Sequence, residues 1–373
     1  MRIVRSIFVL VLLFNFELHG QSHIRFVLTG NQVTDSPNGY FLAGSFNGWN
    51  PGDSAYLFTK DQNGAYRLDL GLQPGKYEFK ITCGSWDKAE CHMDGQSIAN
   101  RFLEVSGDAN IELTPEAWTD QFKKPVKHST AGKRVMILDT AFNMPQLKRH
   151  RAIRIYLPVD YAVSKKRYPV LYMHDGQNLF DDSTSYAGEW GVDECLDSMK
   201  KQCIIIGIDN GGTHRINEYC GYDMKEYGKG EGRAYVDFLV KTLKPYIDKK
   251  FRTLPGHDHT FIAGSSLGGL ISLYAVLRYP AVFGGAGLFS TSLWINPEMW
   301  AYIWQRAPLV HAKLFFYAGK QEDETMVPNM LKALKIFMKS SHSATHTVIR
   351  DEGRHNEASW RREFPAFYQF IIK

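Results

Sequence analysis

The stretch FIAGSSLGGLIS, Phe261 to Ser272, decides how the rest of the chain is read. His259–Ala263 has the apolar run of a buried strand, and Leu267–Tyr279 reads as a helix ended by Pro280. Between them Gly264-Ser265-Ser266-Leu267-Gly268 is G-x-S-x-G in the strand, sharp turn and helix that this motif needs. The central serine, Ser266, is the candidate nucleophile. Its turn is tight, so both flanking positions must be small, and Gly264 and Gly268 supply that. Ser265 occupies the variable position and points elsewhere. Leu267 opens the helix, where free N–H groups can hold a developing oxyanion.

The same alternation of strands and helices continues on both sides. Arg151–Tyr156, Pro169–Met173, Ile204–Ile208, Phe283–Phe289, Lys313–Tyr317 and Thr345–Ile349 read as strands. Val192–Lys200, Arg233–Asp248, Met330–Lys339 and Glu357–Ile371 read as helices. Ile204–Ile208 is apolar throughout, as a strand covered on both faces requires. Strand-then-helix order predicts an α/β domain with a largely parallel sheet.

A serine nucleophile needs a base, and in this fold the order along the chain is serine, acid, histidine. His355, in EGRHNEASW between the last strand and the last helix, is best placed to reach back over the sheet edge. The acid should follow strand Lys313–Tyr317, where Glu322, Asp323 and Glu324 are available. Glu322 is the first choice and Asp323 the second. A second oxyanion donor should come from the loop after Pro169–Met173. There Gly176 lets the chain approach closely, so the Gln177 N–H, or that of Gly176, is the candidate. His174 reads as a buried structural histidine.

The first third of the chain has a different pattern. His23–Leu28, Tyr40–Ala43, Tyr66–Leu70, Tyr77–Ile81 and Ile111–Leu113 alternate apolar and polar residues between turn signals such as Asn63-Gly64 and Pro74-Gly75. This predicts a small antiparallel β-sandwich over residues 22–118, a basic linker over 119–132 and the α/β domain over 133–373. Residues 1–20 have two arginines and a short apolar run, the pattern of a cleaved signal peptide, so a secreted or periplasmic protein without a membrane anchor is expected.

The chain has 373 residues, 44% hydrophobic and 22% charged, with a net charge of +5. The basic residues are scattered in small groups, which argues against a nucleic-acid partner. Among five cysteines Cys83 and Cys91 are the expected disulfide pair. No His/Cys spacing suggests a metal, and the chemistry needs no cofactor.

LPVDY (Leu157–Tyr161), YPVLYMHDGQNLFD (Tyr168–Asp181), EWGVDE (Glu189–Glu194), IGIDNGGTHRINEY (Ile206–Tyr219), AGSSLGGL, FSTSLW (Phe289–Trp294), YAGKQEDE and GRHNEASWRREFP together resemble the esterase family of α/β-hydrolases. That family includes esterase D, feruloyl and acetyl xylan esterases, enterochelin-type siderophore esterases and mycolyltransferases. The resemblance covers about residues 133 to 373. It implies Ser266 as nucleophile, Glu322 as acid and His355 as base. Members often carry aspartate at the acid position, which keeps Asp323 in view. GYFLAGSFNGWNPGD (Gly39–Asp53), GKYEFKITCGSWDKAE (Gly75–Glu90) and ANRFLEV (Ala99–Val105) look like starch-binding-type modules of carbohydrate-binding families 20 and 48. That likeness implies a glycan site at Lys80, Trp86 and Asn100, with Trp49 in the core.

The expected function is hydrolysis of carboxylic esters, acetyl or feruloyl, on a polysaccharide. The alternative is a siderophore trilactone, whose anionic substrate would want the basic rim that His214 and Arg215 could offer. Trp190 and Trp294 are the candidate substrate-binding aromatics, and Tyr219 and Trp360 lie in neighbouring motifs.

Overall fold

The computed structural model describes residues 20–34, 36–122, 127–199 and 202–373. The expected signal peptide lies, but for Gly20, outside the described residues. The chain divides into two compact units, Met1–Pro125 and Val126–Lys373.

The first unit is built from β1 (Ser22–Leu28), β2 (Phe41–Gly44), β3 (Thr59–Lys60), β4 (Tyr66–Leu72), β5 (Gly75–Thr82), β6 (Glu90–Cys91), β7 (Arg101–Val105), β8 (Ala109–Leu113) and β9 (Ala117–Trp118). One sheet has the order β3-β4-β1-β8 and another β2-β5-β7. Pairing is antiparallel except between β1 and β8, which run parallel. Alternate residues of β1 turn inward, and Phe26 meets Phe79 edge-on at 5.6 Å in the shared core. Cys83 and Cys91 are both buried free thiols, as are Cys203 and Cys220, so the expected disulfide is not formed.

The second unit carries an eight-stranded sheet. Its strands are β10 (Val135–Met144), β11 (Arg149–Tyr156), β12 (Val170–His174), β13 (Ile204–Ile208), β14 (Thr260–Ser265), β15 (Gly285–Phe289), β16 (Lys313–Gly319) and β17 (Ala344–Arg350). They lie in the order β10-β11-β13-β12-β14-β15-β16-β17. The first two are antiparallel to their neighbours, and the six from β13 to β17 are mutually parallel. The helices are α1 (Val192–Ser198), α2 (Arg215–Tyr219), α3 (Gly232–Phe238), α4 (Lys244–Lys250), α5 (Leu267–Arg278), α6 (Met299–Arg306), α7 (Met326–Ser340) and α8 (Glu357–Ile372).

Each central strand feeds two cores. In β12, Val170 and Tyr172 join the core under α3 to α7, while Leu171 and Met173 join the core under α1 and α8. That two-sided burial is why the strands read as unbroken apolar runs. The single helix expected over Arg233–Asp248 is instead α3, a π-turn at Leu239–Leu243, and α4. Pro245 has no N–H to return to the preceding turn, and the wider turn absorbs the loss. Among the described residues no helix is long and apolar enough to cross a membrane.

Candidate active site

Strand β14 delivers Ser266 into a turn with φ 57° and ψ −120°, after which α5 begins. Such a backbone costs a non-glycine residue about 1–3 kcal/mol. A Cβ at Gly264 would lie 2.7 Å from the Gly268 carbonyl carbon, so the elbow closes only around glycine. The Ser266 N–H is anchored on the Phe289 carbonyl at 2.8 Å. Its Oγ lies 3.0 Å from the Ser292 Oγ.

Beyond β16 the chain turns so that Glu322 points back under the last loop. Glu322 Oε2 accepts the His355 Nδ1–H at 2.7 Å. Oε1 accepts the Ser290 hydroxyl at 2.8 Å and the Gly319 N–H at 2.6 Å. The Glu322 side chain has no solvent exposure, whereas that of His355 is 38% exposed. A proton on Nδ1 leaves His355 Nε2 as the free acceptor. Asp323 does something else: its Oδ1 takes the Thr325 N–H and hydroxyl at the turn before α7.

Strand β12 ends at His174, and Asp175 adopts φ 55° to throw the chain into the short turn Gly176–Asn178. A Cβ at Gly176 would sit 2.7 Å from the backbone of Gly207, so only glycine allows this approach. Burial would push the Asp175 carboxyl up, but Arg215 and Asn210 outweigh it and hold it below the usual carboxylate range. Arg215 grips Asp175 with Nε at 2.6 Å and Nη2 at 2.8 Å. The Gln177 side chain is turned away to accept the Asn210 N–H at 3.1 Å, leaving its backbone in the first turn.

These pieces line one cavity of about 650 Å³, whose walls include Gln177, Tyr186, Arg215, Ser266, His355 and Trp360. Its rim loop is held from behind by the segment before β10. The Ser129 hydroxyl bonds Asp181 at 2.8 Å, the Thr130 hydroxyl bonds Glu189 at 2.9 Å, and the Gly132 N–H bonds Asp193 at 2.7 Å. Burial pushes the Asp193 carboxyl up to about 7.

Several expected residues fall elsewhere. Trp190 is 3% exposed and stacked on Trp360 at 5.9 Å, a core residue and not a wall of the cavity. Its loop folds back under α8, where three aromatic rings enclose it. Tyr219 is fully buried, and His174 beside it bonds the Tyr235 hydroxyl at 2.9 Å. Burial lowers the His174 imidazole to about 3, so it stays neutral. Trp294 is exposed on a neighbouring cavity of about 360 Å³ with Met224, Tyr227 and Glu298. Arg215 is committed to Asp175 and is not a free cation.

In the first unit Lys80 bonds the Ile98 carbonyl and Asn100 bonds Glu78, so both polar groups are engaged within the fold. Trp86 is exposed and lies 6.2 Å from Trp49 at 38°. Trp49 is half-buried and outside the core cluster, because its backbone is left-handed at φ 60° and turns the ring outward. Ser290 and Ser292 were not among the expected site residues. The signal was present in FSTSLW, three hydroxyls straight after a strand that neighbours the nucleophile strand.

The model for the family described as "Putative esterase" matches residues 145–371. The chain belongs to that esterase family. The esterase is therefore a carboxylic ester hydrolase. Residues 41–130 match the pullulanase X25 domain, a carbohydrate-binding-like module. The esterase is 28% identical to the uncharacterized protein YbbA of Bacillus subtilis, over 50% of this chain and 76% of that protein. It is 23% identical to an endo-1,4-beta-xylanase/feruloyl esterase of Xylanibacter ruminicola, over 86% of this chain but only 42% of that protein. The fold of about two thirds of the chain is similar to that of the BES protein from Bacillus cereus, with a TM-score of 0.54 and 18% identity, covering 67% of this chain and 99% of the other.

Proposed function

We propose that the protein is an exported serine esterase that removes acetyl or feruloyl groups from polysaccharide. Ser266 Oγ attacks the ester carbonyl carbon while His355 Nε2 takes its proton. Glu322 holds the imidazole with Nδ1 protonated and stabilises the imidazolium without taking the proton itself. The N–H groups of Leu267 and Gln177 receive the negative oxygen. The C–O bond breaks, His355 returns the proton to the leaving alcohol, and water repeats the sequence on the acyl-enzyme. The observation that carries this reading is the 2.7 Å Glu322–His355 bond on a cavity whose floor is the strained Ser266 elbow.

The carbohydrate part rests on the X25-type module and on the likeness to a xylanase/feruloyl esterase over most of the chain. The Trp49–Trp86 pair offers two rings to a sugar face, and Lys80 and Asn100 border the same module. Trp294 opens on a separate cavity, and the aromatics on the catalytic cavity's own wall that would meet a feruloyl ring are Tyr186 and Trp360. The siderophore reading is weaker here because Arg215, the cation on the cavity wall, is already paired.

The test is hydrolysis of acetylated xylo-oligosaccharide, feruloyl arabinose and a catecholate trilactone by wild type and Ser266→Ala. Turnover of a sugar ester that falls at least about a thousandfold in the variant is the expected result. Turnover of the trilactone alone overturns the carbohydrate reading, and full activity of Ser266→Ala overturns the nucleophile.

A further inference from the structure

Ser290 follows β15 with φ 45° and is fully buried. A glycine would relieve that strain, so a serine held there needs a reason in its hydroxyl. Its Oγ has two partners: it lies 2.8 Å from the Trp360 Nε1 and 2.8 Å from Glu322 Oε1. An indole N–H can only donate, so the Ser290 oxygen accepts from Trp360 and its own hydrogen must point at Glu322. The direction of this chain of bonds is therefore fixed.

We propose that Ser290 and Trp360 are positioning residues for catalysis, the outer members of a relay that runs Trp360 to Ser290 to Glu322 to His355. This rests on the proposed roles of Glu322 and His355. The Gly319 N–H is a rigid donor from one side, and the Ser290 hydroxyl, locked by Trp360, is the second. Together they hold Oε1 so that Oε2 alone faces His355. Trp360 adds a second restraint, because its ring meets the imidazole edge-on at 5.1 Å and 85°. Neither residue touches the reacting atoms. They act through the carboxylate and the ring that it orients.

The experiment compares Ser290→Ala, Trp360→Phe and the double variant with wild type in the full chain. The readouts are kcat, KM, the melting temperature and the low-field proton resonance of the His355–Glu322 bond. Removing a hydrogen bond to a charged group predicts a kcat about 10–100-fold lower in Ser290→Ala, with KM within about twofold. The low-field resonance should shift or broaden. Trp360→Phe keeps a ring against the imidazole and removes only the N–H, so it should lose less, and the double variant should be no slower than Ser290→Ala alone, because that N–H works through Ser290. Additive losses, an unmoved resonance, or a kcat that follows only the folded fraction would overturn the relay. Glu322→Gln serves as the control: if that variant keeps wild-type activity, the failure lies in the proposed triad and not in Ser290.

Discussion

Replacing Glu322 by glutamine should be far more damaging than its size suggests. The Oε1 seat faces two donors, the Gly319 N–H at 2.6 Å and the Ser290 hydroxyl at 2.8 Å. The amide oxygen of glutamine must take that seat, since an NH2 group there would meet two donors inside a site closed to water. Its NH2 group is then turned onto His355 Nδ1. To accept that hydrogen bond, Nδ1 must give up its proton, and the proton moves to Nε2. A histidine protonated on Nε2 cannot deprotonate Ser266. In the comparable substitution of a triad aspartate by asparagine the wrong tautomer costs about 10⁴ in rate. Allowing for adjustment in the partly exposed His355 loop, kcat should fall about 10³–10⁴-fold, equal to about 4–5 kcal/mol. The melting temperature should change little, because every donor keeps an acceptor. Asp323→Asn, which alters only a turn, should stay within about threefold of wild type. Steady-state kinetics on the ester with the highest turnover, read beside a thermal melt, measures all three. A Glu322→Gln enzyme with more than about a tenth of the wild-type kcat would refute the reasoning about tautomers, and a collapse in Asp323→Asn would move the acid by one residue.

Two further outcomes follow from particular contacts. Trp190→Ala should lower stability by about 3–5 kcal/mol in denaturant unfolding, because it empties a core position, and should leave the ratio of aromatic to acetyl ester turnover unchanged. For Asp237, burial works against the charge, yet Tyr279, Lys241 and Arg278 outweigh it and lower the carboxyl to about 2. A carboxyl lowered on folding adds stability above its unfolded value near 3.8, and that stability drains away as pH falls toward 2. The gap is worth about 2 kcal/mol at most, which solvent screening reduces to about 1 kcal/mol. Asp237→Asn should therefore unfold more easily at pH 7 and lose most of that difference by about pH 2; an equal penalty at both ends would count against the ion pairs.

How far the sequence carried depends on what kind of information each residue holds. Ile204–Ile208 was readable as a strand because two-sided burial leaves no polar position, and its bounds match the observed ones. The elbow was readable because its glycines answer a steric need two residues either side of Ser266. The meeting of Glu322 with His355 across 33 positions was suggested by the chain order of the fold and by the family resemblance, since periodicity cannot choose among Glu322, Asp323 and Glu324. Strand β10 was missed because its register shifts between Ile137, Asp139 and Phe142 break the alternation, and because an edge strand can leave Met136 and Ile137 exposed. Trp190 was misplaced because a residue's position in a loop says nothing about depth. Ser290 was legible only as a hydroxyl after a strand, and its role stays unreadable until Trp360 is folded over it.

The bonded segment ahead of β10 has a practical consequence for anyone exchanging the front module for another. Ser129, Thr130 and Gly132 each satisfy a carboxylate of the hydrolase unit. A shortened protein starting at residue 133 would discard all three, leaving Asp181 with its Ser183 bonds, Glu189 with Arg361 nearby and Asp193 without its Gly132 donor, at about 1–3 kcal/mol for a buried group left unpaired. Starting at Lys127 keeps them, along with the Lys127 contacts to Asp182 and Ser185 on the cavity rim. Those six residues look like dispensable spacer in a one-dimensional map, yet a swapped module should be spliced in ahead of them so that the catalytic half inherits its own buttress.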